Sequence, residues 1–473
     1  MHKDVIVVGA GISGIAAGYN LKKSCPNKSF SILEGRDNIG GTWDLFKYPG
    51  IRSDSDMHTL GFRFKPWIHD KSIADGPSIM EYLYETIDDY ELKDNILLNH
   101  KVCSANWNSE KSLWELEIKE NDQLVNMTCN FLFLCGGYYS YTKPHMPDFK
   151  NQENFEGQII HPQFWDESLE YEDKKIAVIG SGATAITIVP AIAEKAEHVV
   201  MIQRSPTYVV SGPSEDSINK SLRKILPVKL TYFLIRWKNI LYQSFTFFMA
   251  RKYPERTKHK ILELAKDELG SDYDIDKHFT PSYKPWDQRI CLVPDSDLFE
   301  AINNKKASVI TDTIDEFQSD GILLNSGEKV EADIIITATG IELNSLNDIH
   351  VSINNEKVNP NERLTYKGMM LSGVPNFAIS FGYVNASWTL RADLTCEYVC
   401  RLLNLMDKKG VACCEPIDDE TAHGDDELID FSSGYVQRGL NQMPKQGNKA
   451  PWKNYQNYLK DIFAVRLFSI KDS

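Results

Sequence analysis

The sequence predicts an α/β fold, two strand–turn–helix units followed by a helical insertion, from three observations. The apolar run Val5–Val8 leads directly into Gly9-Ala10-Gly11-Ile12-Ser13-Gly14. The run Ile176–Ile179 leads in the same way into Gly180-Ser181-Gly182-Ala183-Thr184-Ala185. Residues 214–285 then break the alternation with long amphipathic helical patterns and no clear strand. Each unit has the form of a Rossmann-like dinucleotide-binding domain.

The elements follow in order. In the first unit, Ile12, Ile15, Ala16 and Leu21 carry helical spacing over residues 12–24, and Phe30–Leu33 reads as the next strand. Residues 101–135 read as a meander of short strands, with one turn at Trp107-Asn108-Ser109 and an end at Phe131–Cys135, before Gly136-Gly137. The second unit continues as a helix to about Lys195 and the strand Val199–Ile202. Strand patterns resume at Ala307–Thr311, Ile322–Asn325 and Ile334–Thr337. Ala338-Thr339-Gly340 is a small-residue turn that lets the chain pass close to a ligand. Residues 415–430 are acidic and read as a solvated loop, and the C-terminal segment is expected to return to the first domain.

A chain of 473 residues exceeds the usual single-domain size. Its 42% hydrophobic and 25% charged content is that of a soluble globular protein. The net charge of −14 argues against nucleic acid as a partner. Nine cysteines, without CxxC or zinc spacing, suggest reduced thiols and a cytoplasmic location. Cys413-Cys414 reads as a bland adjacency rather than a redox pair. Met1 to Asp4 leave no room for a secretory leader before the first strand, and no uncharged stretch approaches the ~18 residues of a membrane span. The sequon Asn126-Met127-Thr128 is then coincidental.

The residue at the end of the second strand separates the two ligands. In GxGxxG the first glycine makes the turn, the second admits the pyrophosphate and the third lets helix meet strand; alanine is permitted third, as at Ala185. Glu34 stands 20 residues after Gly14, where a carboxylate accepts from a ribose diol. Arg204-Ser205 holds the matching place after Ala185, where a guanidinium pairs with a 2′-phosphate. The first cradle therefore reads as a site for FAD or NAD, and the second as one for NADPH. A solvated surface arginine is the alternative at Arg204.

Phe155-Glu156-Gly157-Gln158-Ile159-Ile160-His161-Pro162-Gln163-Phe164-Trp165-Asp166 has the pattern FxGxxxHxxxWD and stands just before the second glycine turn. It resembles the fingerprint of type I Baeyer–Villiger flavoprotein monooxygenases, and is closest to the mycobacterial ethionamide-activating subgroup. Trp165-Asp166 distinguishes it from the fingerprint of flavin-containing and N-hydroxylating monooxygenases. Gly40-Gly41-Thr42-Trp43 and Tyr48-Pro49-Gly50-Ile51-Arg52-Ser53-Asp54 resemble the family's flavin-proximal segment, and Pro285-Trp286-Asp287-Gln288-Arg289 its active-site arginine segment. The similarity spans nearly the whole chain.

The resemblance implies FAD in the first cradle, contacted by Gly9, Gly11, Ser13, Gly14, Glu34, Gly41, Thr42, Trp43, Asp44, Leu45 and Val102, with Arg52, Ser53 and Asp54 beside it. NADPH belongs in the second, with Gly180, Ser181, Gly182, Ala183, Thr184, Ala185, Arg204 and Ser205. It also implies dioxygen as co-substrate, a ketone converted to an ester or lactone, and sulfoxidation of thioethers. Arg289 is then the catalytic cation and Asp54 its orienting partner. His161 and Trp165 take linker and packing roles. The family often has lysine before that arginine, and here the residue is Gln288, so discrimination for NADPH rests on Arg204 and Ser205.

The implied division is 1–142 and 342–473 for FAD, 143–213 and 286–341 for NADPH, and 214–285 for the insertion. Three other readings compete. A disulfide reductase needs a thiol pair near the flavin, and Cys396 and Cys400 lie far along the chain. A heteroatom (N/S) monooxygenase has no need of Arg289 with Asp54. A flavin oxidoreductase bound peripherally to a membrane would use residues 229–252, an aromatic-rich stretch with Arg236, Lys238, Arg251 and Lys252; the competing reading packs that stretch in a helical domain, lining a substrate cavity.

Overall fold

In the computed structural model, which describes residues 1–418, 424, 426–467 and 470, both units form. The strand His2–Val8 runs parallel to Phe30–Leu33 on one side and to Gln123–Leu134 on the other. The helix Ile12–Ser24 connects the first two. Val5, Ile6, Val7, Ile32 and Leu33 have no solvent exposure. Strands covered on both faces lose the apolar–polar alternation of half-exposed ones, and this explains the unbroken apolar runs.

The meander is His100–Asn108, Leu113–Glu120 and Gln123–Leu134, antiparallel to one another and part of the same sheet through the last of them. The turn expected at Trp107–Ser109 is displaced. Trp107 remains in the strand opposite Trp114, their rings 5.7 Å apart and both buried, so the chain reverses only at residues 109–112. Burying the indole outweighs the turn preference of the polar residues beside it. The C-terminal part returns as expected: His350–Ile353 pairs with His100–Asn108, and Phe377–Ile379 with Gln123–Leu134.

The second sheet is fully parallel, ordered Ala307–Thr311, His198–Gln203, Lys175–Ile179, Ile334–Thr337, Gln158–Ile160. The expected strand at Ile322–Asn325 is Gly321–Leu324, in a small antiparallel sheet beside it. The insertion leaves after Val209–Gly212 and returns at Cys291–Pro294, and these two strands pair with each other. Between them lie four helices, including Val228–Lys252 and Pro254–Leu269. Of the acidic stretch 415–430, residues 419–423 and 425 lie outside the described residues. Near its end Asp426 and Asp430 are exposed as expected, but Leu428 and Ile429 between them are buried in the core of the first domain.

The segment 155–166 connects the two sheets. Phe155 packs in the second domain's core, and Trp165 packs against Tyr171. The Nδ1 of His161 accepts from the Gln163 amide at 3.1 Å, and its Nε2 lies 3.2 Å from the Gly340 carbonyl. The Gln163 side chain donates to the Ser140 carbonyl at 2.9 Å. One ring nitrogen accepts and the other donates, which requires the neutral imidazole. Burial pushes His161 down from 6.5 to about 4, against the pull of the Gly340 carbonyl. The stability tied to this ring is therefore complete above pH 6.5 and is lost as pH falls towards 4. Thermal melts across that range should fall more steeply for the wild type than for His161→Gln; parallel curves would mean that the ring is not linked to folding.

Candidate active site

Both glycine turns open onto one cavity of about 1190 Å³. The helices Ile12–Ser24 and Ala183–Ala193 begin at Gly11 and Gly182, with no side chain capping either. Their first amides have no side-chain cap among the described residues, and Ile12, Ser13, Ala183 and Thr184 line the cavity. An uncapped helix N-terminus is a binding site for phosphate.

The turns have the shape that the motif requires. Gly9 has φ +100°, and a Cβ there would sit 2.9 Å from the Cys135 carbonyl oxygen. A Cβ on Gly14 would sit 1.8 Å from the Gly9 carbonyl oxygen, so only glycine lets this helix meet its strand. Gly182 has nothing within 4 Å of its Cβ position, which leaves the approach to the second helix open.

Glu34 ends the strand Phe30–Leu33 at the cavity wall. Its carboxylate accepts from the Ala10 amide at 2.8 Å and from the Arg36 amide at 3.1 Å. Burial raises its pKa, against these two amides and the Arg36 charge. The carboxylate is fixed in place with lone pairs left for a diol.

Gly41, Thr42, Trp43, Leu45, Ser53 and Val102 also line this part of the cavity. Asp44 does not. It is 4% exposed and held by Arg36 at 2.5 Å and Lys47 at 3.4 Å, behind the wall. Gly14 and Ala185 likewise lie behind it, where they set how closely helix meets strand. Arg52 lines the cavity, but its guanidinium is paired with Asp297 of the second domain.

Arg289 and Asp54 meet in the cavity, Nη2 to Oδ2 at 2.8 Å. Although deep in the protein, the arginine side chain keeps 34% of its surface open to the cavity, and the aspartate 42%. Burial works to lower the arginine's pKa, but Asp54 and the tyrosines Tyr435, Tyr139 and Tyr138 raise it above its ordinary value. The guanidinium is permanently charged. These tyrosines carried no sequence signal, because they come from residues 138–139 and 435 and meet only through folding. Trp388 carried none either; its indole donates to Ser13 Oγ at 2.8 Å and packs on Tyr138.

Beside the second turn, Arg204 and Ser205 are exposed at the cavity wall, and Ser181 Oγ donates to the Ser205 carbonyl at 2.9 Å. Arg438, from the C-terminal segment, lines the same cavity. Burial and the Arg204 charge push its pKa down, with Glu342 opposing. Two guanidiniums thus converge beside the second turn. Gln288 lines the cavity as well. No residue from 229–252 lines it, so the expectation that this stretch forms a substrate wall is corrected.

Two phosphate cradles facing one cavity, with a fixed cation beside them, define a flavoprotein oxidoreductase that uses a nicotinamide cofactor. Residues 66–372 match the model of the flavin-binding monooxygenase-like family, and residues 7–70 that of the NAD(P)-binding Rossmann-like domain. The chain belongs to the flavin-binding monooxygenase-like family. It is 50% identical over 475 residues to the FAD-containing monooxygenase EthA of Mycobacterium tuberculosis, covering 100% of this chain and 96% of that protein. It is 47% identical to the probable FAD-binding monooxygenase AlmA of Acinetobacter baylyi, covering 98% and 94%. In fold it is similar to a steroid monooxygenase bound to NADP, with a TM-score of 0.75, 22% identity and 87% of each chain covered. A cyclohexanone monooxygenase gives a TM-score of 0.76 at 21% identity, covering 88% and 90%. The protein is a flavin monooxygenase with FAD and NADPH as cofactors.

The disulfide-reductase reading finds no support. No disulfide forms among the described residues, and burial raises the pKa of Cys135, a thiol that faces the first turn.

Glu34→Ala is expected to keep the fold but lose flavin, because hydrogen bonds to a charged acceptor are worth about 1.5–3 kcal/mol each. Flavin absorbance per protein after extensive dialysis measures this; full retention would mean that Glu34 does not hold the ribose.

Proposed function

We propose that this enzyme inserts one oxygen atom of dioxygen beside a ketone carbonyl, giving an ester or lactone, and also sulfoxidises thioethers. The second oxygen atom leaves as water, which takes up the hydride of NADPH and one proton from solvent, and NADPH is oxidised to NADP⁺. The observation that carries this reading is the Arg289–Asp54 contact at 2.8 Å in the cavity that both cradles share.

Bound FAD, once reduced by NADPH, supplies the activation of dioxygen. The chain's own residues do the rest. Nucleophilic oxygen transfer to a carbonyl places negative charge on oxygen, and a preorganised cation stabilises it. Arg289 fits because it cannot lose its proton, whereas a lysine desolvated in the same place could. Asp54 acts as a positioning residue that holds the planar guanidinium at one angle. Sulfoxidation of a thioether needs no such anion stabilisation, so the pair favours the ketone reaction over a purely heteroatom oxygenase.

Arg204 and Arg438 together suit a 2′-phosphate, and Ser205 adds a hydroxyl, which offsets the glutamine at position 288. We assign residues 1–142 and 342–473 to FAD, 143–213 and 286–341 to NADPH, and 214–285 to the insertion. Nine cysteines without CxxC or zinc spacing fit a cytoplasmic location.

Arg204→Ala and Arg438→Ala should each weaken NADP⁺ by about 10–100-fold while leaving NAD⁺ unchanged, the loss of one charge-assisted contact. Titration calorimetry with both nucleotides decides; equal losses would mean that neither arginine reads the phosphate.

Arg289→Ala should lower ester formation by about 10²–10³ or more, with flavin still bound. NADPH oxidation should persist, its electrons leaving as hydrogen peroxide, and Arg289→Lys should rescue poorly. Asp54→Ala should show a milder defect of the same kind. Ester yield per NADPH consumed, measured beside sulfoxide yield from a thioether, is the test. Ester formation at wild-type coupling in Arg289→Ala would overturn the assignment and favour the heteroatom reading.

A further inference from the structure

The helix Val228–Lys252 has two apolar faces, and only one of them is packed. Its inner face is pinned by polar contacts. Arg236 donates to the His58 and Gly61 carbonyls, each at 2.7 Å, and pairs with Asp393 at 3.2 Å, all of them buried. Asn239 and Gln243 donate to Asp56 at 2.7 and 2.8 Å. The helix therefore cannot turn its other face inward without breaking a buried ion pair, a costly change.

That other face carries Phe233, Leu241, Tyr242, Phe245 and Phe248, each more than half exposed. With half-buried Trp237 between them, positions 233, 237, 241, 245 and 248 follow helical spacing, an apolar stripe about 22 Å long. Isolated exposed apolar residues need no explanation, but a continuous stripe of this size marks a contact surface. The helix is not long and apolar enough to cross a membrane.

The charge around the stripe identifies its partner. Residues 217–260 contain eleven lysines and arginines and one acidic residue, Glu255, in a chain whose net charge is −14. Several of these are neutralised, Lys238 by Asp216 and Arg251 by Asp287. Lys224, Lys229, Lys252 and Arg256 meet no carboxylate among the described residues, and Lys252 lies over the Phe248 ring at 5.4 Å. Cations at both ends of an aromatic and aliphatic stripe are the pattern of a helix lying in the headgroup layer of an anionic bilayer.

We infer that residues 224–256 form a peripheral docking face for an anionic membrane surface, with the helix Val228–Lys252 lying in the headgroup plane. The face adjoins the site. Phe247 packs on Trp286 at 5.4 Å and Arg251 pairs with Asp287, next to the segment that carries Arg289. This placement suits an apolar substrate dissolved in the lipid.

The test is sedimentation of the FAD-loaded full chain with vesicles of phosphatidylcholine alone and with about one-third phosphatidylglycerol, at low and high salt. Wild type is expected to bind the anionic vesicles at least about tenfold more tightly than the neutral ones, and less well at high salt. The double variant Leu241→Glu, Phe245→Glu and the triple variant Lys224→Glu, Lys229→Glu, Lys252→Glu should each lose at least about tenfold in vesicle affinity. Both should keep wild-type melting temperature and NADPH oxidation, since neither set touches the cofactor cavity. Failure of the wild type to sediment, equal binding to neutral vesicles, or unchanged binding by both variants would overturn the inference. A wild-type dimer that Leu241→Glu, Phe245→Glu converts to monomer, without vesicle binding, would assign the face to a second copy of the chain instead.

Discussion

The ion pair between Arg289 and Asp54 joins two parts of the chain that local structure alone would leave apart. Asp54 follows the first nucleotide unit and Arg289 precedes the strand that closes the insertion, yet their side chains meet at 2.8 Å. A second pair, Arg52 with Asp297, joins the same two regions close by. Each charge offsets the desolvation of the other, and a pair spanning two domains holds them in one relation. The two phosphate cradles must face each other for electrons to pass between cofactors, so this relation underlies the activity as well as the shape.

The same constraint explains the linker. Neutral His161 connects Gln163 to Gly340, and Gln163 reaches Ser140, so one short segment touches the edges of both units. These are hydrogen bonds of fixed direction, unlike apolar packing, and they set the angle at which the second unit meets the first. The helical insertion is held by a separate network around Arg236, Asp393 and Asp56, close in sequence to Asp54. One short stretch, residues 52–61, therefore carries contacts to the second domain, to Arg289 and to the insertion.

What the sequence determined by itself was local. The glycine turns, the strands before them and Glu34 at the end of its strand follow from rules that act within about thirty residues. Glycine at positions 9 and 14 is required by backbone contacts of the turn itself, and the motif could be read without any distant residue. Arg289 and Asp54 were legible only through likeness to a known family, because no spacing joins positions so far apart. The tertiary structure alone decided the surroundings: Tyr138, Tyr139 and Tyr435 about the arginine, Arg438 beside Arg204, and Asp44 withdrawn behind the wall by Arg36. It also decided which face of the helix Val228–Lys252 stays outside, since both faces are apolar and periodicity cannot rank them. Buried polar groups settled that choice, because Arg236 can be satisfied only by the carbonyls and carboxylate waiting on one side.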